Sequence, residues 1–122
     1  NMLTTNATAK LLANIALGRA VSPEASRKMM DLMRREPFAE VKDAEDQSHG
    51  FTGIALKNLN MKEARLWSKA GWTSNSRHDA AYIETADGGK LVIAVFTERH
   101  AKERDIIPTI AKTILEGLGK TE

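Results

Sequence analysis

Lys69-Ala70-Gly71 sets a cation and a residue without a Cβ two positions apart, inside a run, Leu66 to Trp72, that suits a β-strand. On a strand, that spacing lets the backbone carry a fixed positive charge and still approach a ligand closely, because glycine has no side chain to hold the ligand away. Such a strand offers an ammonium and unpaired N–H groups together, which is chemistry for an anionic ligand. Read alone, Lys69 is more often a solvated edge charge than a ligand contact, and Trp67 and Trp72 are more often core or rim packing than a stacking platform. His78-Asp79 places an imidazole beside a carboxylate, but neighbouring strand residues point to opposite faces, which argues against a shared metal or proton relay. His49 and the run His100-Ala101-Lys102-Glu103 lack converging partners and are expected at the surface.

The elements that position this strand follow from periodicity and turn chemistry. Asp87-Gly88-Gly89 separates two β-rich runs, Ala80 to Glu84 and Leu91 to Phe96, and reads as a hairpin turn because glycine supplies positive φ. Leu91 to Phe96 is apolar at every position, so a central strand covered on both faces is expected. Before the strands, Thr5 is expected to cap a helix to about Leu17, with Leu11, Leu12 and Ile15 on one stripe and Gly18 as the stop. Ser22-Pro23-Glu24 starts a second helix with Ala25, Met29, Leu32 and Met33 inward, ending near Arg35 because Pro37 disfavours helical geometry at Glu36. Residues 38–64 show no sustained period, and Glu40, Asp43, Glu45 and Asp46 read as a solvated acidic loop. A last helix is expected from Asp105 to about Gly117, with Ile107, Ile110, Ala111, Ile114 and Leu118 following a 3.6-residue period and Pro108 tolerated in the first turn.

Composition narrows the classes. The chain has 122 residues, enough for one domain with one modest core. Its 18 Lys and Arg against 16 Asp and Glu leave a formal charge of only +2, too small an excess to imply a nucleic-acid surface. Cysteine is absent, so neither a disulfide framework nor a thiolate metal site is possible. No apolar run approaches the roughly 20 residues of a membrane-spanning helix. No metal or cofactor motif is present.

Lys69-Ala70-Gly71-Trp72-Thr73-Ser74, with Arg77, Asp87-Gly88-Gly89 and the strand Leu91 to Thr97, resembles the final third of class A β-lactamases and their penicillin-recognising serine hydrolase relatives, whose signature at this strand is Lys-[Thr/Ser]-Gly. The resemblance implies an α+β, three-layer α/β/α fold: an antiparallel sheet of three strands with N-terminal helices and a C-terminal helix. Residues 1–122 would be a single C-terminal portion of such a domain. Thr4-Thr5 would open the helix that follows the Ω-shaped loop. The family's final strand pairs with the first strand of the protein, so Leu91 to Phe96 would be left with an open edge, to be completed by an N-terminal half or by a second copy.

By the same resemblance, Lys69 supplies positive charge toward a substrate carboxylate, the Trp72 backbone N–H is one of two oxyanion donors, and Arg77 grips a carboxylate. Ala70 stands where the family has a hydroxyl that bonds this carboxylate, with Thr73 or Ser74 as substitutes; together with Gly71 these are the expected substrate-binding residues. The attacking group is missing. Acyl transfer of this type uses Ser-x-x-Lys, which does not occur; Thr109-x-x-Lys112 is the nearest spacing and is expected to face solvent. Ser-x-Asn is also absent, since Thr73-Ser74-Asn75 imitates it with threonine and follows the lysine strand. The expected parent is an exported, periplasmic or extracellular enzyme that hydrolyses a β-lactam or related amide or ester through an acyl-serine, with this chain inert by itself and free of cofactors. The alternative is a non-catalytic binding or assembly module on the same fold.

Overall fold

A computed structural model describes residues 3–40, 43 and 46–118. Glu45 of the acidic run lies outside the described residues. The order is α1 (Thr5–Ala16), α2 (Pro23–Met33), β1 (Arg34–Arg35), α3 (Phe51–Asn58), β2 (Arg65–Trp72), β3 (Ser76–Glu84), β4 (Lys90–Glu98) and α4 (Ile106–Leu118). The strands form one antiparallel sheet in the order β1-β2-β3-β4. The fold is α+β with helices on both sheet faces, as expected, but the sheet has four strands and not three. The extra strand is short: α2 stops at Met33, and Arg34 turns extended at ψ 131° so that Arg34 and Arg35 pair with Trp67 and Leu66.

Local chemistry explains most boundaries. Thr4, one residue earlier than expected, caps α1 by accepting the Ala7 N–H, and Gly18 leaves the helix at φ +75°. Ser22 caps α2 through the Ala25 N–H, with Pro23 at the first helical position. The β3–β4 turn is held by Gly88 at φ +88° and by the Asp87 carboxylate, which accepts from the Thr85 hydroxyl and the Gly89 N–H. Those bonds hold the Asp87 carboxyl below its ordinary range.

Side-chain burial splits the sheet into two faces. Leu66, Ala70, Ala81, Ile83, Ile93 and Val95 join Phe51, Ala55 and Leu56 of α3 and Ile107, Ala111 and Leu115 of α4 in the main core. The opposite face packs Ala80 and Tyr82 on Leu12, with Trp67, Met30 and Met33 around them. Helix α3 sits where no period was legible because it is buried on most sides, Phe51, Thr52, Gly53, Ala55 and Leu56 all being enclosed. In the other helices the inward residues differ from the simple stripes. Leu11 and Leu32 are exposed, while Ser26 is fully buried and exchanges two hydrogen bonds with the Ala20 backbone. Leu115, and not Ile110 or Ile114, completes the α4 core face. Strand β4 is flanked by α1 and α4, yet lies at the end of the sheet and not at its centre; among the described residues its outer edge has no strand partner. No described helix is long and apolar enough to cross a membrane.

Candidate functional site

Strand β2 carries Lys69, Ala70, Gly71 and Trp72 in succession, and its edges are set by alternation. In an antiparallel pair, successive residues point their N–H and C=O alternately toward the partner and away from it. The β2–β3 turn closes with the Thr73 N–H donating to Ser76 O at 2.9 Å, and Trp72 is paired with Arg77. Leu66, Ser68, Ala70 and Trp72 therefore direct their backbone groups away from β3. Side chains confirm this at three positions: Arg34 donates to Leu66 O at 3.3 Å, Arg35 donates to Ser68 O at 2.9 and 3.2 Å, and Gln47 Oε1 accepts the Ala70 N–H at 2.7 Å. Two residues beyond Ala70, the Trp72 N–H emerges on the same edge with no acceptor among the described residues.

Lys69 lies at this edge too, its ammonium donating to the Ala70 carbonyl. It borders a cavity of about 560 Å³ between α1 and the sheet, walled by Leu11, Leu12 and Phe96 and by Gly71 and His78. Gly71 leaves open space, since a Cβ built there meets nothing within 4 Å. The Thr8 hydroxyl on the same wall is enclosed and has no partner among the described residues. His78 Nδ1 accepts the Thr97 N–H at 3.2 Å, which leaves the proton of a neutral ring on Nε2.

The other expected residues go elsewhere. Thr73 Oγ1 accepts the N–H groups of Asn75 and Ser76 at 3.1 and 3.0 Å, so its hydroxyl oxygen braces the hairpin, and Ser74 sits exposed in that turn. Arg77 is only 6% exposed, turned to the α3 face with its guanidinium 4.2 Å from the Phe51 ring centre. Ala70 is buried in the main core. Trp72 stacks at 5.7 Å on Phe51, and Trp67 at 5.4 Å on Tyr82. The His49 side chain is buried and not at the surface: Nε2 lies 2.6 Å from Ala39 O, and Nδ1 lies 3.6 Å from the Asp46 carboxylate. His100 remains outside, paired with Glu103 at 2.8 Å. Thr109 is exposed, and Lys112 faces Glu116 at 3.8 Å.

Two roles had no sequence signal. Asp79, 2% exposed, accepts the Thr52 N–H at the start of α3, and burial pushes its carboxyl above the ordinary range against the pull of that amide and of Arg35. Gln47 and Arg35 close the β2 edge across 23 and 33 residues of sequence, a distance no local pattern spans.

Comparisons with known proteins agree with this architecture. PBP-A superposes with a TM-score of 0.75 at 18% identity, over 95% of this chain and 40% of its own. A variant of PBP-A has been solved as an acyl-enzyme complex with penicillin-G. A β-lactamase from Sphaerobacter thermophilus superposes at 0.64 and 25% identity, over 96% of this chain and 41% of its own. A chromosome-encoded β-lactamase of Vibrio parahaemolyticus, solved as a mutant, superposes at 0.65 and 18% identity. The chain thus spans about 40% of the length of these structures. A search of curated proteins found no sequence match. The model of the β-lactamase enzyme family matches residues 1–118, and with that match over nearly its whole length the chain belongs to the β-lactamase enzyme family.

Proposed function

We propose that residues 66–97 form the ligand-binding wall of a β-lactamase-like serine hydrolase, with the attacking hydroxyl supplied by polypeptide outside this chain. Lys69 attracts the carboxylate of a β-lactam or related amide or ester. The Trp72 N–H stabilises the oxyanion that forms as the carbonyl is attacked, a contribution on the order of 10²–10³ in rate for one such donor. The acyl-serine is then hydrolysed. The observation that carries this reading is the Trp72 N–H, without an acceptor among the described residues, on the same strand edge as the Lys69 ammonium and next to the open backbone at Gly71. The apolar cavity beside Lys69 suits either the body of the ligand or a helix bringing the nucleophile.

Residues 1–122 by themselves should show no nitrocefin turnover and no covalent labelling by a fluorescent penicillin, whereas the longer protein should be labelled and lose labelling on Lys69→Ala. Stoichiometric labelling of the 122-residue chain would overturn the reading. The open β4 edge supports completion by an N-terminal segment or by a second copy. A stable monomer in light scattering with fast amide exchange along Leu91 to Phe96 would count against the second copy. An exported location follows from the same reading.

One observation favours a second reading, a non-catalytic binding or assembly module. Ala70 offers no hydroxyl, is buried, and has its N–H occupied by Gln47. A reading frame upstream of Asn1 without Ser-x-x-Lys would select this module over the enzyme.

A further inference from the structure

Among the described residues, the outward edge of β2 is closed stepwise until one donor remains. β1 and Arg34 cover it at Leu66, the Arg35 guanidinium covers Ser68 O, and Gln47 covers the Ala70 N–H. Gln47 is itself held from both sides. Arg35 Nη2 donates to the same Oε1 at 3.3 Å. On its other side the loop is locked, since the Asp46 carboxylate accepts the Ser48 N–H at 2.7 Å and Ser48 Oγ accepts the Glu36 N–H at 3.0 Å. An extended ligand laid along this edge as an added strand would need both the Trp72 and the Ala70 N–H groups, about 7 Å apart along the strand. Only the first is available. The Lys69 ammonium rests on the Ala70 carbonyl, at the point where such a ligand must stop.

We propose that Gln47 is a specificity-determining residue: by capping the Ala70 N–H it restricts the β2 edge to ligands that end in a free carboxylate beside Lys69 and rejects those whose chain continues past it. The proposal rests on the reading that β2 receives the ligand. Its physical basis is that a continuing chain would have to leave its own carbonyl unpaired against an edge whose donor is already taken.

The test uses the longer protein and two probes, benzylpenicillin and the same molecule with its carboxylate joined to glycinamide. The wild-type protein should be acylated at least 100-fold faster by the free acid. Gln47→Ala should narrow that ratio at least tenfold by speeding the extended probe, whereas Lys69→Ala should narrow it by slowing the free acid. A ratio within twofold of wild type in Gln47→Ala overturns the proposal, as does a change confined to the free acid. Amide exchange supplies a second readout: Ala70 should be protected in the wild type and exposed in both Gln47→Ala and the similar-sized Gln47→Met, with Ile83 protected throughout. Persistent Ala70 protection in a folded variant also overturns it. Acylation of the wild type by neither probe would defeat the ligand reading and the proposal with it, while the Ala70 exchange would still report separately whether Gln47 caps the edge.

Discussion

The Asp79 carboxylate accepts the Thr52 N–H at 3.1 Å, so a side chain from the middle of β3 caps the first turn of α3. Helix α3 has Gly50 at its own N-cap and no side-chain cap from its own segment, which makes Asp79 its tertiary substitute. The arrangement joins the strand after the hairpin bend to the helix beneath the lysine strand.

Removing that carboxylate should unfasten α3. Asp79→Ala is expected to cost about 1–3 kcal/mol, because the buried Thr52 N–H loses its acceptor. Asp79→Asn keeps an acceptor and removes the cost of burying a charge. Since burial raises the native carboxyl above 3.8, the folded state holds its proton more tightly than the unfolded state. Below 3.8 both states are protonated; as pH rises above it, stability falls until the native group also ionises. Denaturation at pH 3.5, 5.5 and 7.5 should show this decline in the wild type and a flatter profile in Asp79→Asn.

Tyr82 is the chain's one tyrosine, so phenolate absorbance reports it alone. Burial and the hydrogen bond its hydroxyl donates to Glu84 push its pKa up to about 12, from an ordinary 10.0. The neutral ring is favoured in the native state, so this contribution to stability is complete below pH 10 and lost as pH rises toward 12. Spectrophotometric titration should give a midpoint near 12 in the folded chain and near 10 in urea. A native midpoint near 10 would mean that Tyr82 does not pack as described.

Two glycines should respond oppositely to alanine. At Gly53 a Cβ would lie 2.3 Å from the Ser48 carbonyl oxygen, which is backbone and cannot step aside. Gly53→Ala should therefore cost at least about 1–3 kcal/mol, the range of core overpacking. At Gly71 the same methyl meets nothing, so Gly71→Ala should leave the melting temperature nearly unchanged while reducing penicillin labelling of the longer protein. Equal labelling would remove the argument that close backbone approach is needed there.

The three longer strands and three helix starts were legible because local chemistry determines them: Ser22-Pro23, Asp87-Gly88-Gly89 and the all-apolar Leu91 to Phe96 each carry their own signal, whereas the two-residue β1 carries none. Lys69-Ala70-Gly71-Trp72 was legible as a strand for the same reason, the structure placing all four on one continuous stretch of β2. Helix α3 was not, because a helix enclosed on most sides loses the amphipathic period that reveals it. The closure of the β2 edge was not, because Arg35 and Gln47 act through contacts far apart in sequence. Arg77 shows the limit most clearly. A planar cation near the lysine strand suggested a carboxylate grip, but the residue's face on β3 is fixed by a register that the bend alone does not reveal.

Arg77 therefore provides the sharpest separation between packing and ligand contact. Its guanidinium lies over Phe51, Phe51 in turn meets Trp72, and Trp72 carries the edge N–H. Arg77→Ala should lower stability by about 1–2 kcal/mol through the lost cation–π contact and the lost cover of its aliphatic stem. Arg77→Lys should recover only part of this, since a compact ammonium does not stack as a planar guanidinium does. Because Arg77 lies opposite Trp72 in the β2–β3 register and shares the Phe51 contact with it, penicillin labelling should fall in step with stability across the two variants. Full native stability in Arg77→Ala combined with lost labelling would instead place the guanidinium on the ligand carboxylate.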